Sequence, residues 1–330
     1  MRALYINSGT ASLRNLPRPR RPAGWARIQV LASGICNTDL ELLRGYYGFR
    51  GVPGHEFVGR VLETDAGDDR WSGKRVTGEI NLTCRGLGYI RLCDLCARGL
   101  ASHCRRRKVL GIVNHPGAHA EEITLPVCNL HAVPARISDH AAVFAEPLAA
   151  ACQVLKQVRF APRDRVLVLG DGKLGLLLAQ VLHRELRKTA RTVLLAGHHR
   201  EKLALARRWG VDTRLSGARL GRREWDVVIE ATGSPTGLAE ALERVRPRGT
   251  VVMKSTIHGM LQAATAPWIV DEITLVGSRC GPMDQALRLL ARGVEVESLI
   301  EDVLPLARAL QALRQAARRG SRKILLALDA

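Results

Sequence analysis

A chain of 330 residues exceeds the usual size of one hydrophobic core, so two domains are expected. Its 46% apolar and 25% charged residues exclude disorder as the default, and no apolar run approaches the roughly 20 residues of a membrane helix. The net charge of +19 raises a polyanion as partner, but the basic residues lie along the whole chain and only 8 of the 50 are lysine. That pattern is a compositional bias and not a groove built for nucleic acid, so no specific nucleic acid and no membrane partner is expected.

The chain opens on Met-Arg-Ala-Leu-Tyr-Ile, a strand pattern without an apolar signal core, which points to a cytoplasmic protein. Residues 3–6, 26–30 and 57–62 read as strands between glycine and proline turns, a β-rich start. A cysteine- and arginine-rich lobe at 81–110 lacks the apolar periodicity to fold alone, so a metal is its natural staple. Apolar patterning returns at 125–134 and 141–144. From about residue 148 helices and strands alternate: helix 148–158, strand 165–169, helix 174–186, strand 192–196, helix 200–209, strand 226–230, helix 238–245 and strand 249–254. Strands alternating with helices predict a parallel doubly wound sheet, a Rossmann domain. After strand 273–277, helix 283–291 and strand 323–328 close the chain without obviously extending that sheet.

Four segments carry chemistry. Gly-Ile-Cys-Asn-Thr-Asp (34–39), Pro-Gly-His-Glu (53–56) and Ala-Glu-Pro-Leu-Ala (145–149) offer a thiolate, an imidazole and two carboxylates. Those are donors a tetrahedral zinc takes when one position must stay open. The fourth, Gly-Asp-Gly-Lys-Leu-Gly (170–175), is a G-x-G-x-x-G turn between a strand and a helix. Gly170 permits the tight turn, Gly172 lets the backbone approach a pyrophosphate, and Gly175 allows close helix packing. Asp171, Lys173 and Leu174 complete that loop and open the helix whose N-terminus faces the phosphates.

On these motifs the chain resembles the zinc-dependent medium-chain dehydrogenase/reductases, in the branch of threonine and sorbitol dehydrogenases, over essentially its whole length. The resemblance implies a discontinuous GroES-like catalytic domain at 1–147 and 282–330 around a Rossmann domain at 148–281. It also implies a catalytic zinc on Cys36, His55 and Glu146, with Glu56 ligating or binding through water, and Thr38 relaying the proton of the substrate hydroxyl. The histidine that often continues the relay is replaced here by Leu40-Glu41, leaving Glu41 or ribose hydroxyls as candidates. Cys93, Cys96 and Cys104 match the last three ligands of the family's structural zinc. Cys84 would be the first, though eight residues separate it from Cys93 where the family usually has two. A zinc-ribbon nucleic-acid reader would use the same lobe with Arg105–Arg107, but leaves Cys36, His55, Glu146 and the glycine turn unexplained.

At the end of the second Rossmann strand, where NAD enzymes place an acid for the ribose hydroxyls, stand Gly197, His198, His199 and Arg200. The lost carboxylate and a guanidinium able to pair with a 2′-phosphate favour NADP, with NAD possible. Thr232, Gly233 and Ser255 follow later strands and are expected near the nicotinamide ribose. The expected activity is hydride transfer between a secondary alcohol, polyol or sugar and the nicotinamide; a NAD-linked threonine or amino-alcohol dehydrogenase is the alternative. Family members are dimers or tetramers paired partly through the last strand of the nucleotide sheet, and the apolar stretch 268–277 suits that role.

Overall fold

The structure, a computed structural model, describes residues 1–218, 220–256 and 265–328. The chain forms two compact units, one of Met1–Glu146 with Met283–Ala330 and one of Pro147–Pro282.

The first unit is organised by the ten-residue strand Trp25–Gly34. It pairs antiparallel with Glu56–Glu63, Glu122–Pro126 and Lys323–Ala327 in a seven-stranded sheet that also holds Leu130–Ala132, Arg75–Gly78 and Ile300–Pro305. Ile28, Phe57, Leu125, Phe144 and Leu325 are fully buried in this unit. Register decides the chemistry. Gly34 stands opposite Glu56 on one side and Leu325 on the other, and the Ile35 N–H donates to Ile324 O at 3.0 Å. Three segments far apart in sequence therefore end at one place, just where the chain enters the helix Asn37–Leu43. The C-terminal strand belongs to this sheet and not to the nucleotide sheet.

The second unit is a six-stranded parallel sheet in the order Asp212–Leu215, Thr192–Gly197, Arg165–Leu169, Trp225–Glu230, Val245–Met253 and Thr274–Gly277. Val166, Leu167, Val168, Val228 and Ile229 are fully buried, as strands covered on both faces must be. The order reverses at Arg165–Leu169, so the ends of that strand and its neighbours form the switch point where such sheets bind ligands. Two boundaries move from expectation. The helix Gly237–Arg244 runs straight into the strand Val245–Met253, which starts four residues early through a register shift beside Trp225. The short edge strand Asp212–Leu215 and the helix Ala309–Ala316 are additional elements. Among the described residues no helix is long and apolar enough to cross a membrane.

Candidate active site

Cys36 caps the helix Asn37–Leu43, and its N–H donates to Asp39 Oδ2 at 2.8 Å. Asp39 is fully buried and its Oδ1 accepts the Gly54 N–H at 3.1 Å, which ties the thiol segment to the loop carrying His55. Burial alone would raise the Asp39 pKa; His119, His55 and the Cys36 amide outweigh it and hold the carboxyl at about 2. Behind it Ser33 Oγ and His119 Nδ1 are 2.8 Å apart, and His119 Nε2 lies 3.5 Å from Asp39 Oδ2.

The ligand atoms of Cys36, His55 and Glu56 all lie within 4.8 Å of one another. His55 is 4% exposed, and its Nδ1, 3.8 Å from Asp39 Oδ1, has no hydrogen-bond partner among the described residues. Burial opposes charge on this imidazole, but Cys36, Asp39 and Glu146 raise its pKa well above the ordinary range. Glu146, in the first turn of the helix Ala145–Gln157, stands outside the tight cluster. Burial pushes its pKa up to about 7, helped by Glu56 and Glu79 and opposed by His55 and Lys323. Thr38 Oγ1 is 3.7 Å from Cys36 Sγ, and Glu41 pairs with Arg44.

A lysine absent from the sequence reading completes this site. Lys323 is 2% exposed, forms an ion pair with Glu56 Oε2, lies 3.4 Å from Ile35 O, and sits over the Phe144 ring at 5.8 Å. Burial lowers its pKa, but Glu56, Cys36 and Asp39 more than compensate and raise it. One thiol, one buried imidazole and nearby carboxylates are a sulfur–nitrogen–oxygen donor set that fits zinc. The Asp39 carboxylate behind His55 matches the outer partner that metal-binding histidines require.

Cys84, Cys93, Cys96 and Cys104 converge likewise, their sulfurs all within 4.8 Å of one another. The lengthened loop folds back through Leu87 N–H to Thr83 O and Tyr89 N–H to Cys84 O, and Arg106 covers the Tyr89 ring at 4.3 Å. Backbone N–H groups at Cys96 and Arg105 hold Cys93 down at about 6, whereas burial pushes Cys96 up to about 12. Four thiols this close share negative charge only with a cation among them, so this set also fits zinc.

In the second unit Gly170 has φ +106°, and a side chain there would strike the Ala231 backbone. A Cβ at Gly172 would meet nothing within 4 Å, which leaves the backbone open to a phosphate where the helix Lys173–Leu186 begins. Glu230, fully buried at the end of its strand, accepts from Thr232 Oγ1 at 2.6 Å and from Ser255 Oγ at 2.9 Å; Gly233 N–H donates to Ser255 Oγ at 2.8 Å. Thr232, Gly233 and Ser255 thus share one buried organiser that lay unremarked in an apolar strand. Gly197 is not an open position: Asp171 lies against it, accepts the His199 N–H at 2.6 Å and faces His199 Nδ1 at 3.0 Å. The premise that no carboxylate stands at the end of this strand is corrected, because one arrives from the glycine loop. His198 and Arg200 are exposed beside it.

Residues 22–135 match the family model of the alcohol dehydrogenase GroES-like domain, and residues 174–292 match that of zinc-binding dehydrogenases. The chain is 31% identical to D-altritol 5-dehydrogenase of Agrobacterium fabrum, covering 93% of each protein. It is 34% identical to L-threonine 3-dehydrogenase of Streptomyces avermitilis, covering 80% of this chain and 79% of that one. Among solved structures, a Sinorhizobium meliloti chain bound to NADP superposes with a TM-score of 0.88 at 26% identity, covering 99% of this chain and 98% of that one.

Proposed function

From a chain that belongs to the zinc-dependent medium-chain dehydrogenase/reductases, we infer an alcohol dehydrogenase that moves hydride between a secondary alcohol, polyol or sugar and a nicotinamide cofactor. The observation that carries the reading is the convergence of the ligand atoms of Cys36, His55 and Glu56, the imidazole buried among them. Cys36, His55 and the carboxylates of Glu146 and Glu56 would hold zinc, which when bound supplies Lewis acidity toward an alcohol oxygen. Asp39 orients the imidazole, and Lys323 fixes the Glu56 carboxylate and balances its charge. Thr38 would relay the proton of the substrate hydroxyl, Oγ1 accepting it as its own hydroxyl proton passes outward through Glu41 or a ribose hydroxyl; its 3.7 Å separation from the Cys36 sulfur supports that role. The cofactor's pyrophosphate would rest on the Gly170–Gly175 loop, and Thr232, Gly233 and Ser255, tied to Glu230, support its nicotinamide half.

Likeness to D-altritol 5-dehydrogenase supports a polyol or sugar substrate, and likeness to L-threonine 3-dehydrogenase keeps an amino alcohol as the second reading. A homodimer or homotetramer in the cytoplasm fits the rest. Thr274–Gly277 is an edge strand of its sheet, and Ile269 and Val270 just before it are 72% and 79% exposed. Pairing of arginines with acids, as in Arg27 with Glu63 and Glu122, supports a solvated surface over a nucleic-acid groove.

The test is an oxidation screen of polyols, sugars, secondary alcohols and L-threonine with zinc-loaded protein, run with NAD and NADP in parallel. Formation of reduced nicotinamide with a polyol, abolished by Cys36→Ser, is the expected result. Absence of turnover with every class, in protein that binds neither dinucleotide, overturns the reading.

A further inference from the structure

The helix Arg200–Arg208 starts immediately after the strand Thr192–Gly197, with His199 at its N-cap. A helix N-terminus in that position is a ready seat for an anion, such as the 2′-phosphate of NADP on the adenosine ribose. Here the seat is taken. Asp171, 4% exposed, reaches from the glycine loop so that Oδ2 accepts the His199 N–H at 2.6 Å. Both carboxylate oxygens face His199 Nδ1, at 3.0 and 3.2 Å. A Cβ added at Gly197 would come within 2.5 Å of Asp171 Oδ2. The carboxylate therefore fills the space that a side chain at the strand end would use, and a side chain at 197 would collide with it.

We propose that Asp171 is the specificity-determining residue for the cofactor, selecting the 2′-hydroxyl of NAD over the 2′-phosphate of NADP. The proposal rests on the nicotinamide-linked reading above and adds the choice between the two cofactors. Two physical effects act in the same direction. A buried carboxylate repels a phosphate more strongly than it would in water, because screening there is weak. It also consumes the His199 amide, a donor that a phosphate at this helix start would need. The exposed Arg200 is a cation nearby, so the selection is expressed as a ratio of affinities and not as exclusion.

The test is titration of NADH and NADPH, followed by nicotinamide fluorescence, into the zinc-loaded protein and its variants; no alcohol substrate is needed. The wild type should bind NADH more tightly, and Asp171→Ala and Asp171→Asn should each move the affinity ratio toward NADPH by about tenfold or more. The swap of Asp171→Gly with Gly197→Asp, which returns the carboxylate to the strand end, should restore the preference for NADH. Thermal unfolding of each variant identifies any loss that is only a loss of fold, and the swap then decides the matter. An unchanged ratio in both single variants, or a wild type that prefers NADPH, overturns the proposal. A ratio that moves further toward NADH overturns it too, since Asp171 would then be holding His199 for a phosphate. Wild-type protein that binds neither dinucleotide refutes the nicotinamide-linked reading itself and this proposal with it.

Discussion

Lys323→Met tests how the strand register builds the site. The ion pair between Lys323 and Glu56 has side chains only 2% and 1% exposed, so neither charge has water to fall back on. Methionine keeps the volume and removes the cation, leaving a buried carboxylate uncompensated. Breaking a buried pair from one side costs about 3–5 kcal/mol. His55, whose pKa is raised and which borders the same carboxylate, supplies some replacement charge and sets the expectation near the lower end, about 3 kcal/mol. Native-state hydrogen exchange of the amides in Lys323–Ala327 and Trp25–Gly34 reads this loss within the unit that contains the pair. Glu56→Gln combined with Lys323→Met should lose clearly less than the sum of the single losses, because the second substitution removes the stranded partner. A loss below about 1 kcal/mol, the range of an exposed pair, or strict additivity in the cycle would refute the reasoning.

Thr38→Val should lower kcat by about 10²–10⁴-fold with little change in KM, while Thr38→Ser keeps most of the rate; steady-state kinetics on the substrate found by the screen decides it. Burial raises the Glu146 pKa from the ordinary carboxylate range to about 7, so the metal-free fold favours its protonated form. Its stabilising contribution is present below the unfolded value and fades as pH rises through about 7, where the carboxylate becomes available to a metal. Zinc affinity should therefore climb across that range with release of a proton, measured calorimetrically in buffers of different ionisation heat; a flat profile would sink the assignment. Metal analysis should return about two zinc ions per chain, falling to about one in Cys96→Ser, and a stoichiometry indifferent to that substitution would show the four-thiol lobe to be empty of metal.

The nucleotide-binding fold was legible because its signals are local. The strand Arg165–Leu169 is a continuous apolar run, and the helix that follows begins one residue from its expected start. The strand Asp212–Leu215 was not legible: as an edge strand with half its residues exposed, it carries Asp, Thr and Arg and no periodic mark. The zinc-type residues Cys36, His55 and Glu146 could be nominated because the short motifs that hold them follow one another in the order of the family the chain resembles. Lys323 could not, because nothing near it in sequence differs from an ordinary strand beginning. It joins Glu56 across 267 residues only through the register that sets Leu325 against Gly34.

Gly197 shows the sharper limit. A sequence records which residue occupies a position, whereas a ligand meets whichever group fills the space. At the end of Thr192–Gly197 those differ, since the missing acid of the strand is supplied by Asp171 from 26 positions earlier in the chain. The carboxylate lies against the glycine that reads in sequence as an opened phosphate site. Similar pairs of loop acid and strand-end glycine in other chains of this fold are therefore better read together than one position at a time.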